Sequence, residues 1–135
     1  MAPVRDTSTD GGPAAAPWAR SPAEVDETYA LLAVQMQQIA ARPVRTVEQL
    51  NPGEHYALGV RAAARWTMGA VATAPLTDEE LPPDVDSAAT VLALAEYLMA
   101  SEGTPDQVYA LAGGVKAWLV WLVGAEDRMR FRSLD

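Results

Sequence analysis

The chain has 135 residues, half of them hydrophobic and 21% charged, with a formal net charge of −8 and no cysteine. That length gives one domain, and the composition is ordinary for a globular protein. The acidic balance argues against nucleic-acid binding and against attraction to anionic membranes, and the lack of cysteine excludes disulfides and thiolate metal sites.

Residues 1–20 (MAPVRDTSTDGGPAAAPWAR) are rich in Pro, Gly, Ala, Thr and Asp without periodicity. Such a segment buries too little surface to offset its ordering entropy, so a disordered tail is expected, with Trp18 as a candidate anchor on the body. Arg5 has no apolar stretch behind it, so no secretory signal is read. Nine of the ten basic residues are arginine, a bias associated with GC-rich bacterial genomes.

Residues 21–135 form the single helical domain. Three sites share one start signal: Ser21-Pro22-Ala23-Glu24, Asn51-Pro52-Gly53-Glu54 and Thr104-Pro105-Asp106-Gln107. Each offers a capping oxygen, a proline where no amide donor is needed, and Glu or Gln placed to reach back to the cap amide. They predict a first helix over 22–42, a second from 52 to 71 or 73, and a fourth over 105–127, with continuation to Phe131 left open. A third helix is expected over 86–101, after Pro82-Pro83 and closed by Gly103. The fold class expected is all-α and four-helix-bundle-like.

The second and fourth helices contain the same pattern. Residues 59–70 read GVRAAARWTMGA and residues 114–125 read GVKAWLVWLVGA, six identities in twelve. The repeat suggests two duplicated αα-hairpins about a local two-fold. On a helix Gly59, Ala62, Trp66 and Gly69 share a face, as do Gly114, Ala117, Trp121 and Gly124. Interior glycines are costly, so a close crossing is expected, with each tryptophan over a glycine of the other helix.

The fourth helix adds Trp118, Leu119, Val120, Leu122 and Val123, and is apolar nearly all round. Its apolar run, 108–125, only reaches the lower limit for a membrane span and holds Lys116. A helix of this kind is central or covered by a second chain. A homodimer through Trp118, Leu119, Leu122 and Val123 is therefore expected, in a cytoplasmic protein without membrane or nucleic-acid partners; another protein is the other partner considered.

Chemistry is sparse. His55, the one histidine, is the sole catalytic candidate, and a surface position in the first turn is the commoner role for such a residue. No metal-ligand spacing and no phosphate loop is present, so no metal or cofactor is expected. Lys116 needs a carboxylate, for which Glu96 is the candidate, and Arg61 is its counterpart in the repeat. The leading expectation is a non-catalytic helical interaction or assembly protein that self-associates through the fourth helix. The alternative is a small-molecule-binding or enzymatic domain whose aromatic pocket lies between helices 2 and 4. Its walls would be Trp66, Trp118 or Trp121, and its polar groups Lys116, Arg61 or Glu96.

Overall fold

The computed structural model describes residues 18–135; the tail expected over 1–20 lies outside the described residues up to position 17. Four α-helices form the domain: α1 (Pro22–Ala40), α2 (Pro52–Thr67), α3 (Val85–Ala100) and α4 (Asp106–Leu122), with a short 3-10 turn at Val47–Gln49 before α2. No strand occurs among the described residues, only an isolated bridge between Thr73 and Glu80.

Two of the three expected starts are capped as read. Ser21 accepts from the Glu24 amide while the Glu24 carboxylate takes the Ser21 amide, and Asn51 and Glu54 repeat the exchange at α2. The third departs from expectation. α4 begins at Asp106 without a side-chain cap, and Gln107 instead donates to the Glu48 carbonyl (2.6 Å), tying the head of α4 to the 3-10 turn. α3 starts at Val85, earlier than expected, because Asp84 caps the Ser87 amide.

α2 and α4 cross at the centre, α1 packs on α2 and α3 packs on α4. At the crossing the repeat is reciprocal. A Cβ on Gly59 would collide with the Leu111 carbonyl and crowd the Val115 amide; a Cβ on Gly114 would collide with the Tyr56 carbonyl and crowd the Val60 amide. Leu111 and Val115 stand to Gly114 as Tyr56 and Val60 stand to Gly59, so each helix enters the other at the same register. The glycines therefore admit main chain, not indole rings, which corrects the expected ring-in-notch packing. Close approach offsets the helix propensity lost at each glycine.

The second pair of repeated glycines lies past the helices. Gly69 (φ 80°) and Gly124 (φ 86°) adopt the left-handed conformation that ends a helix. Gly69 donates to the Trp66 carbonyl and Ala70 to Arg65; Gly124 donates to Trp121 and Ala125 to Val120. These bonds take two of the last four carbonyls of each helix. They stop α2 at Thr67 and α4 at Leu122, short of the expected 71–73 and 127. Arg128, Arg130 and Arg132 are consequently not on a helix.

The core holds Trp66, Trp118, Leu32, Leu119, Leu122, Val60, Val91 and Val115, all essentially fully buried. Neither fully buried indole N–H is left without a partner. Trp66 donates to the Leu81 carbonyl (2.9 Å), and Trp118 donates to Thr67 Oγ1 (3.0 Å), whose hydroxyl donates back to the α2 main chain. Satisfied in this way, each ring contributes burial without the penalty of an orphaned donor. None of the helices among the described residues is long and apolar enough to cross a membrane.

Candidate functional site

The densest polar cluster stands at the head of α2. Glu54, the capping-box residue of the first turn, is completely buried. Arg45 clamps its carboxylate with both terminal nitrogens (Nη1 to Oε1, 2.7 Å), Arg42 donates from Nη1 to Oε2 (3.2 Å), and the Asn51 amide donates to Oε1 (2.9 Å). The Arg45 hydrogen bonds, aided by the Asn51 amide and Arg42, outweigh burial and hold the Glu54 carboxyl at about 2. A buried carboxylate with every lone pair engaged is a structural lock, expensive to break from one side only. The signal in the sequence was the pair Arg42 and Arg45 just upstream of a buried first turn.

Residues 125–135 pass back from the end of α4 to this cluster as a strap. The body holds it mainly by its main chain. Tyr56 Oη donates to the Arg130 carbonyl (2.5 Å), Gln35 Nε2 to Arg132 (2.9 Å), and both Arg42 Nη1 (3.0 Å) and Asn51 Nδ2 (2.7 Å) to Leu134. Carbonyls taken at every second residue are the signature of extended chain. Leu134 is buried as the apolar anchor, and Met129 and Phe131 rest half-buried on the core. Gly53 makes room, since a Cβ there would collide with the Ser133 carbonyl. Burial raises the pKa of the Tyr56 phenol, an effect moderated by Arg132 and Arg130.

His55 is buried rather than surface-exposed, and its Nε2 has no hydrogen-bond partner within the described chain. One helical turn earlier, Pro52 joins Asp106, Tyr109, Ala110 and Arg132 around an open hollow of about 240 Å³.

The other candidates fall into three groups. Trp66 is sealed in the core, while Trp121, nearly buried, packs against Trp118 (centroids 5.2 Å apart) with the Arg20 guanidinium 5.2 Å over its other side. Lys116 and Glu96 meet as an ion pair (Nζ to Oε2, 3.4 Å), but on the surface, and Arg61, half-buried on α2, takes no part in it. Trp118, Leu119 and Leu122 are enclosed within the chain itself, so of the expected contact residues only Val123 faces outward.

What covers α4 is α2, α3 and the lead-in to α1. The Ala19 amide donates to the Leu122 carbonyl (3.0 Å), Arg20 Nε donates to the Trp121 carbonyl (2.8 Å), and Trp18 packs on the core. Apolar surface is left open on two helices: α1 exposes Leu31 and Val34, and α3 exposes Val85 and Tyr97. α3 has only Asp86 and Glu96 as charges, and only Ala88, Val91 and Ala95 are buried. Its outer side presents Ala89, Ala93, Tyr97 and Ala100 together with Asp86, Thr90 and Glu96, with Leu94 and Leu98 half-buried beside them. Fold and surface together define a small all-α domain with a locked core and exposed apolar side chains on α1 and α3. No family model matches the chain, and neither does any curated protein or solved structure.

Proposed function

We propose that this protein is a non-catalytic helical assembly module that self-associates, and that its contact surface is the outer side of α3 and not α4. The observation that carries the reading is the exposure of Ala89, Ala93, Tyr97 and Ala100 on a face whose two charges are Asp86 in the first turn and Glu96, the latter paired with Lys116 of α4. A surface helix ordinarily turns charged residues outward. A row of alanines instead permits close approach of a second helix, and tyrosine is enriched where protein surfaces meet. The reading keeps the homodimer expected from the sequence and moves it to another face.

Light scattering on the intact protein tests it. The expected result is a dimer that Ala93→Glu converts to monomer without loss of helicity. A wild-type chain that stays monomeric across its soluble range, or a dimer indifferent to Ala93→Glu, sinks the reading.

One observation favours a second reading, ligand binding at the head of α2: the partnerless Nε2 of buried His55 near the hollow formed by Pro52, Tyr109 and Arg132. Buried polar atoms without partners are uncommon and often mark function. His55→Leu distinguishes the two, since a structural histidine so placed is replaceable without loss of stability or of any ligand-induced shift in melting temperature.

A further inference from the structure

We infer that residues 126–135 are a detachable ligand of the groove between α1 and α2, and that the groove accepts the same segment from a second copy of the chain. This goes beyond the α3 contact, which requires no part of the chain to move. Recognition is directed at main chain: Tyr56, Gln35, Arg42 and Asn51 donate to the carbonyls of Arg130, Arg132 and Leu134. All four donors belong to α1, α2 and their connection, so the contacts make no use of the strap's covalent tie to α4. The geometry is that of an extended peptide docked on a body, with alternate carbonyls bound and an apolar side chain filling a pocket. Leu134 supplies that side chain, and the space Gly53 leaves supplies the passage.

The first two residues of the strap stay with α4, since the Ala125 and Glu126 amides donate to the Val120 carbonyl and Arg20 donates to the Glu126 carbonyl; the lightly held stretch begins at Asp127. Residues 126–131 curl around an open hollow of about 590 Å³ lined by themselves, and Asp127, where the segment departs, is exposed. A few dihedral changes in such a stretch redirect everything beyond it. Exchange between two copies then preserves every groove contact and changes only the connection, a low-cost route to a dimer. In the single chain the strap is favoured by its high effective concentration, so the groove is closed in cis until the anchor is released.

The test uses intact protein carrying Leu134→Asp and a labelled peptide of residues 126–135, followed by fluorescence anisotropy. The expected result is saturable binding to the variant, about tenfold or more tighter than to wild type, whose own strap competes. A peptide with Leu134→Asp should not bind. A folded variant that ignores the wild-type peptide, or binds both peptides equally, overturns the inference. Should Leu134→Asp fail to fold, wild-type-strap protein in light and heavy isotopic forms is mixed, warmed to the melting midpoint and cooled, both forms carrying Ala93→Glu to remove the α3 contact. Mixed dimers by native mass spectrometry support strap exchange, and only light and heavy monomers overturn it. Because the α3 contact is absent in that arm, the two readings fail separately.

Discussion

The two copies of the repeat make the same turn and meet different surroundings. Trp66 and Trp121 occupy the same position, each two residues before its helix cap, with its carbonyl accepting from the closing glycine. Trp66 is sealed beneath the 68–84 connection and bonded to Leu81, whereas Trp121 is lined by Trp118 and by Arg20 from the lead-in segment. One part of the difference lies within the repeat, where α4 has Trp118 and α2 has Ala63, and the rest comes from the segments that reach each ring. A second indole swells α4 on that side and gives Trp121 a partner ring. Matching backbone geometry therefore constrains the crossing, while the unmatched side chains decide what covers each helix.

Breaking the crossing should have the largest effect. Gly59→Ala and Gly114→Ala each drive a methyl into main chain of the opposite helix, which cannot swing aside as a side chain can. Overpacking costs about 1–3 kcal/mol even where side chains relax, and these two substitutions should reach or exceed the top of that range. Chemical denaturation should show similar losses for both; tolerance of alanine at one position alone would falsify the reciprocal crossing.

Next is the lock on α2, for which α4 has no counterpart. Glu54→Gln leaves Arg42 and Arg45 without their charge partner and should cost about 3–5 kcal/mol. Because the folded carboxyl is held at about 2, its contribution is fully present above its ordinary value near 4.5 and is lost as pH falls from there toward about 2. Melting curves of wild type and Glu54→Gln should therefore converge through that acid window.

The tryptophans come third. Trp66→Ala should cost about 3–5 kcal/mol, and Trp121→Ala less, because Trp121 is not wholly buried and its neighbours can close in. Equal losses in parallel denaturation curves would remove the distinction drawn between the two copies.

Smallest is the equivalent charge in the repeat. Lys116→Met should change stability by less than about 1 kcal/mol, since its bond to Glu96 is exposed. A loss several times larger in the same assay would mean that α3 depends on the pair.

Much of this was legible locally. Ser21 and Asn51 announced α1 and α2 because capping is decided within four residues. Pro43, Pro82-Pro83 and Gly103 bounded the helices for similarly local reasons. The close crossing at Gly59 and Gly114 was readable from small residues that recur at one register. His55 was misplaced because a first-turn residue looks solvent-facing until distant parts of the chain pack around it. The fourth helix was read to 127, with continuation to Phe131 left open, because hydrophobic periodicity runs past the Gly124 cap that stops α4 at Leu122.

By itself, the sequence determined an all-helical chain, most of its helix starts, and that α2 and α4 cross closely at the repeated glycines. These depend on caps, turn residues and the size of a side chain, all of which act within a turn or two. Tertiary structure alone decided that α4 is enclosed by its own chain, that Glu54 is a buried lock, and that apolar side chains stay exposed on α1 and α3. Those outcomes depend on which distant segments arrive at a surface. Arg20 reaches Trp121, Arg45 reaches Glu54 and Leu134 reaches Gly53 only after the chain has folded.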